Sequence, residues 1–521
     1  MQTATSQPSS EVANGLAELL TAAVPELMRR MHVPGLNLAV AVDGELVWEE
    51  AFGFADLGSK RPMTVDTVFR SGSMGKTYVA TAVMQLVEAG RIALDGTASD
   101  YLGFELTNPL GKRPVTVEDL LTHRSGLSAN AASSSFAPPP ALEDHLRADI
   151  AAGQLDMFRG AAPKWSEPVG EAMQYSNTAI ALLGLIVQRM NGDGLSYGRY
   201  IEEHIVKPLG MTSTYAPDGN YDDPERVPPE VQDRISTGYV GWGSVNAPTP
   251  KIYFKDFPAG LILTIPRDHV RVLLAYLNGG TYNGHQLLRA ETVDDMLTPR
   301  VEFVGRSTLG GGPTMVGLTW CRGNLGRETE WFGHGGAHMW GWHHDYRAYP
   351  KLNLAIAVAT NRWDLANSSS DAPNQHISIL LEEIAAAFLA NPSQRRREGS
   401  GKGWEWKRSY ALGLNFALST LFYLGIREHL TPAMIDALLA GATDAQSDGL
   451  DPEGFRSAVA DFAEADLTVE GLDAFIDSDR CRLSRAELNA VWRDVGGTGE
   501  FPFPMSAALR SAFGANRTRV G

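Results

Sequence analysis

A chain of 521 residues, 44% of them hydrophobic, is long enough for more than one core. Its 61 acidic side chains outnumber 45 basic ones, and the net charge of −16 argues against nucleic acid or an anionic membrane as the main partner. Two cysteines, Cys321 and Cys481, exclude a disulfide framework. The first ten residues have neither the basic region nor the apolar core of a secretory signal, so a cytoplasmic location is expected.

Residues 12–31 follow an amphipathic helical pattern. Apolar runs at 36–42 and 45–48 flank Asp43-Gly44, the signature of a β-hairpin. An extended, turn-rich stretch then passes into a helical pattern carried by Val79, Val83, Leu86 and Val87, which Gly90 closes. Ser73 and Lys76 sit at the start of that helix, three residues apart and on one face. A serine needs a neighbouring base to become a nucleophile, and a lysine serves if burial and the helix N-terminus lower its pKa. By itself this spacing also recurs by chance on solvated helix surfaces.

Further along, residues 128–165 are rich in Ala, Ser and Pro and predict a long, lid-like insertion. A helix is expected over 178–190. Beyond Gly310 come strand patterns at 318–322, 340–349 and 352–360, then a closing helix at 382–389. Strands at both ends of this region with helices between them predict an α+β fold: an antiparallel sheet flanked by helices, with a helical subdomain inserted. The organisation expected is a domain over 1–390, a polar linker over 391–403 and a mainly helical region over 404–521. Within the last, 409–426 is charge-free and reads as a buried or interface helix rather than a membrane span, able to cover the pocket or to mediate self-association. Loops at 444–453 and 477–487 resemble a pair of EF-hands in spacing, but the first lacks the closing glutamate and the second has Arg480-Cys481 where ligands belong.

Three further motifs follow Ser73 and Lys76 in order: residues 120–127 (Leu-Leu-Thr-His-Arg-Ser-Gly-Leu), Tyr175-Ser176-Asn177 entering a helix, and Gly333-His334-Gly335-Gly336-Ala337 ahead of a strand pattern. Read alone, His123 fixes a turn and Asn177 caps a helix. A rival reading gathers His334, His338, His343, His344 and Asp345 as metal ligands, yet strand alternation would scatter them to both faces. Trp340, Trp342 and His338 are instead expected to border a substrate pocket.

Taken in order, these motifs make the chain resemble the serine β-lactamase-like superfamily over residues 15–390. The nearest branch holds class C β-lactamases, D-aminopeptidases, DD-carboxypeptidases and related esterases. Further matches are Pro208 to Met211, Pro258 to Leu261 with Asp268, and Asn278 to Tyr282. The resemblance implies that Ser73 forms an acyl-enzyme while Lys76 and Tyr175 shuttle its proton. It implies that Asn177 bonds the substrate or the lysine, that the N–H groups of Ser73 and Ala337 form the oxyanion hole, and that Gly335 and Gly336 let backbone approach substrate. It calls for no metal or other cofactor. His334 stands where relatives acting on penicillin carry lysine, which disfavours an anchored carboxylate and favours an ester, amide or short-peptide substrate.

Overall fold

A computed structural model describes residues 10–390 apart from 112, 128–133, 153, 157–159, 163–164, 243, 304–314, 339–340 and 365–376. The expectations for the linker, the 409–426 helix, the EF-hand-like loops and self-association through 404–521 lie outside the described residues. Among the described residues, no helix is long and apolar enough to cross a membrane.

The hairpin forms as the sequence predicts. Strands β1 (Gly35–Val42) and β2 (Glu45–Asp56) pair with Val42 opposite Glu45. Asp43 and Gly44 both take positive φ, +52° and +87°, the two-residue turn whose twist suits a hairpin. The remaining strands of this sheet are β3 (Arg61–Pro62), β4 (Val301–Glu302), β5 (Met315–Val316), β6 (Cys321–Gly323), β7 (Trp331–His338), β8 (Trp342–Tyr349) and β9 (Leu354–Thr360). Their order is β4-β5-β6-β7-β8-β9-β1-β2-β3, with antiparallel pairing throughout. The junction of the two ends is β1 against β9, with Leu36 opposite Thr360.

Alternation along β1 explains how one strand serves two layers. Leu36, Leu38, Val40 and Val42 pack with Leu16, Leu20 and Leu381 from helices α1 (Ser10–Arg30) and α6 (Ile377–Ala390). Ala39 and Ala41 face the other way, small enough to admit helix α5 (Pro266–Leu277) and the main helical core. That core is centred on α2 (Gly75–Glu88) and α4 (Asn177–Met190), which pack together and are buried along most of their length. Gly90, at φ +68°, follows the end of α2 as expected.

Two expectations need correction. The Gly333–Ala337 motif lies inside a strand, β7, rather than ahead of one. The insertion also holds a helix, α3 (Leu142–Ala152), docked through Leu142 and Leu146 in the main core.

Candidate active site

Ser73 lies in a 3-10 turn, Gly72–Met74, that runs directly into α2. Gly72 has φ +55°, and a Cβ there would lie 2.8 Å from the Ala337 nitrogen. A Cβ on Gly336 would run into the Ser71 carbonyl oxygen. The serine turn and β7 therefore meet backbone to backbone, which only glycine permits at these two positions. The family resemblance implies an approach of Gly336 to substrate; its contact with the Ser71 backbone, like that of Gly72 with Ala337, was not legible in the sequence.

One helical turn on, Lys76 is fully buried, with Nζ 3.0 Å from Ser73 Oγ and 2.8 Å from the Ala259 carbonyl oxygen. Burial lowers its pKa from 10.5 to about 7, against the opposing pull of Asp256. Ala259 belongs to the Pro258-to-Leu261 match, but its role as the lysine's acceptor could not be read from the sequence.

Tyr175 completes a triangle. Its hydroxyl hydrogen-bonds Ser73, and its ring centroid lies 5.0 Å from Lys76 Nζ. Burial raises the phenol's pKa, so at neutral pH it remains a proton donor. The segment carrying it is gripped by His123, at φ +57°. The His123 carbonyl accepts the Gln174 N–H at 2.7 Å, and Nδ1 accepts the Ser176 N–H at 3.2 Å. The His123 ring sits 4.6 Å from that of Tyr175. His123 thus fixes a turn, as its sequence context suggests, and also sets the tyrosine's place. The helix cap is Ser176, whose hydroxyl accepts the Ala179 N–H at 3.2 Å; Asn177, expected to be the cap, is the first helical residue. Asn177 Oδ1 is buried and has no hydrogen-bond partner among the described residues.

His334 projects from β7 with its ring 6.4 Å from Tyr175. Its Nδ1 lies 2.5 Å from the Gly335 carbonyl oxygen, and since a carbonyl only accepts, Nδ1 carries the proton. Burial and the nearby Lys76 hold its pKa down to about 4. His334 is thus neutral at physiological pH, and Nε2 is left as an acceptor rather than an anion anchor.

The rival histidine cluster separates as strand alternation requires. His343 Nδ1 meets Ser378 Oγ at 3.2 Å on the α6 side, whereas His344 Nε2 donates to the Arg70 carbonyl at 2.7 Å on the opposite face. Among the described residues no group of three His, Cys, Asp or Glu side chains could hold a metal. Trp342 does not border the site: it is buried beside Phe69 and Ala359 and donates to Ser236 Oγ at 2.9 Å. Trp340 lies outside the described residues.

The sheet-and-helix architecture has counterparts among known proteins. The family model described as Beta-lactamase matches residues 20–378, and the chain belongs to that family. It is similar to Penicillin-binding protein 4 of Amycolatopsis lactamdurans, at 31% identity over 48% of this chain and 61% of the relative. Esterase EstB of Burkholderia gladioli is 34% identical over 38% of this chain and 51% of its own length. The chain thus spans less than two thirds of either relative. The crystal structure of a D-amino acid amidase from Ochrobactrum anthropi SV3 shares the fold, with a TM-score of 0.55 and 22% identity over 74% of this chain and 99% of that one.

Proposed function

We propose that this chain is a serine hydrolase that works through an acyl-enzyme on Ser73. The observation carrying this reading is Lys76: a buried amine 3.0 Å from the serine hydroxyl, with a pKa brought to about 7. In its neutral form Lys76 takes the Ser73 proton as Oγ attacks the substrate carbonyl carbon. The oxyanion that forms is held by the Ser73 and Ala337 N–H groups, a pair whose loss of one donor costs roughly 10²–10³ in rate. Tyr175 then delivers a proton to the departing amine or alkoxide and draws one back from Lys76. In the second half, water attacks the ester carbonyl while the same groups take its proton, and Ser73 is released.

The neutral His334 weighs on substrate choice. An acceptor at Nε2 suits a substrate N–H and offers no charge to a penicillin carboxylate. Amides and small or unusual linear peptides are therefore favoured. Esters, the class acted on by the similar EstB, are the alternative, and acyl transfer would use the same intermediate. Asn177 Oδ1, buried and without a partner among the described residues, would accept from the substrate or from protonated Lys76.

A fluorophosphonate probe tests the mechanism: Ser73 is expected to be labelled in the wild type and not in Ser73→Ala. An unlabelled wild type overturns the reading. A panel of p-nitrophenyl esters, D- and L-aminoacyl amides, short peptides and nitrocefin then ranks the substrates.

A further inference from the structure

Helix α3 of the insertion brings one polar group to the rear of the site. His145 on this helix places Nε2 2.7 Å from Oδ1 of Asp256, a carboxylate only 1% exposed. Asp256 opens the 3-10 turn Phe257–Ala259. Its carbonyl accepts the Ala259 N–H at 2.8 Å, and the Ala259 carbonyl accepts Lys76 Nζ at 2.8 Å. A single turn thus carries the imidazole-bound carboxylate at one end and the lysine's acceptor at the other.

The groups around Lys76 come from several elements. Ser73 shares its helix entrance, and Tyr175 precedes α4. His123 and, on β7, His334 lie close enough that Lys76 depresses the pKa of both, and Cys321 of β6 lies near it as well. Burial pushes the Cys321 thiol up to about 12 and raises the Tyr175 phenol, while it holds both histidines neutral. Asp256 is thus the group of this set that brings a negative charge to bear on the lysine.

We propose that His145 and Asp256 are a positioning pair through which the inserted helix governs the proton on Lys76. This rests on the hydrolase reading given above. By donating to the carboxylate, His145 offsets part of its charge. Without His145 more of the negative field reaches Lys76 and favours its protonated form, so it is a poorer base. Without Asp256 burial acts unopposed, and the lysine loses its proton more readily.

The test uses the full-length chain and the pH dependence of Ser73 acylation by a fluorophosphonate, from about pH 5 to 9. In Asp256→Asn the acidic limb is expected to move to lower pH by about half a unit or more, about threefold in rate on the limb. In His145→Ala it moves to higher pH. Adding His145→Ala to Asp256→Asn produces no further shift, an outcome that a merely structural contact would not give. An unshifted limb in either single variant, or equal shifts by His145→Ala in both backgrounds, overturns the proposal. If Asp256→Asn does not fold, His145→Ala decides alone, because its site on the helix is partly exposed. A wild type that is never labelled would instead overturn the hydrolase reading.

Discussion

Lys76 and Arg347 are both cations with almost no solvent exposure, 0% and 1%, yet the protein treats them in opposite ways. Arg347, on the α6 face of β8, lies 3.1 Å from Glu382 and 3.3 Å from Asp345, with its guanidinium 4.0 Å from the centre of the Trp331 ring. Burial raises the pKa of Asp345, and the Arg347 guanidinium beside it opposes that rise. Lys76 is given hydroxyl and carbonyl oxygens and no carboxylate at hydrogen-bond distance. The same desolvation is offset on one side of the sheet and left standing on the other. A compensated cation holds structure together, and an uncompensated one is poised to exchange a proton.

The sharpest way to break this contrast is Lys76→Met. Acylation of Ser73 should fall by roughly 10³ or more. Thermal melting should meanwhile show a more stable protein, because burying the amine is unfavourable. The sign follows from its lowered pKa: between about 7 and 10.5 the unfolded chain binds more protons, so wild-type stability rises with pH across that window. The variant's advantage is therefore greatest below pH 7 and shrinks towards 10.5. Arg347→Met should do the reverse. It leaves the two acids without their cation and costs about 3–5 kcal/mol by denaturant titration, with labelling per folded molecule unchanged.

A smaller effect appears in the wild type itself. Acylation of Ser73 should follow an acidic limb centred near pH 7, where Lys76 gains its proton, measured as labelling rate against pH. A limb near 10 would mean that the lysine is not desolvated in solution. The least disruptive change is Gly72→Ala, which touches neither cation. Strain at φ +55° and the approach to Ala337 should cost about 1–3 kcal/mol and lower the labelling rate, with the limb unmoved.

Much of this was legible in the chain. Asp43-Gly44 announced the hairpin, Gly90 the end of α2, and the order of the Ser73, Tyr175 and His334 motifs the family. Strand β7 was harder to see because Gly333, Gly335 and Gly336 lack the branched side chains by which strands are recognised. Gly333 and Gly336 are there for close backbone approach, to Tyr346 and to Ser71. The links His145–Asp256, Lys76–Ala259 and Arg347–Glu382 join residues far apart in sequence, and no local pattern marks them. Ser176 and Asn177 are both residue types that cap helices, so the sequence alone did not decide between them; the Ser176 hydroxyl takes the Ala179 N–H.

The pairing of Leu36 with Thr360 has a consequence for how the protein comes into being. Ser73 is made early on the ribosome, but strand β7, which its turn meets, and the strand that closes the sheet emerge hundreds of residues later. Until then Ser73 has no β7 against which to press, and β1 exposes an apolar edge on both faces. Such long-range closure is slow, and unpaired strands invite association between nascent chains. The time of greatest risk for this chain is during its synthesis, when the contact between the Ser73 turn and β7 is among the last it makes.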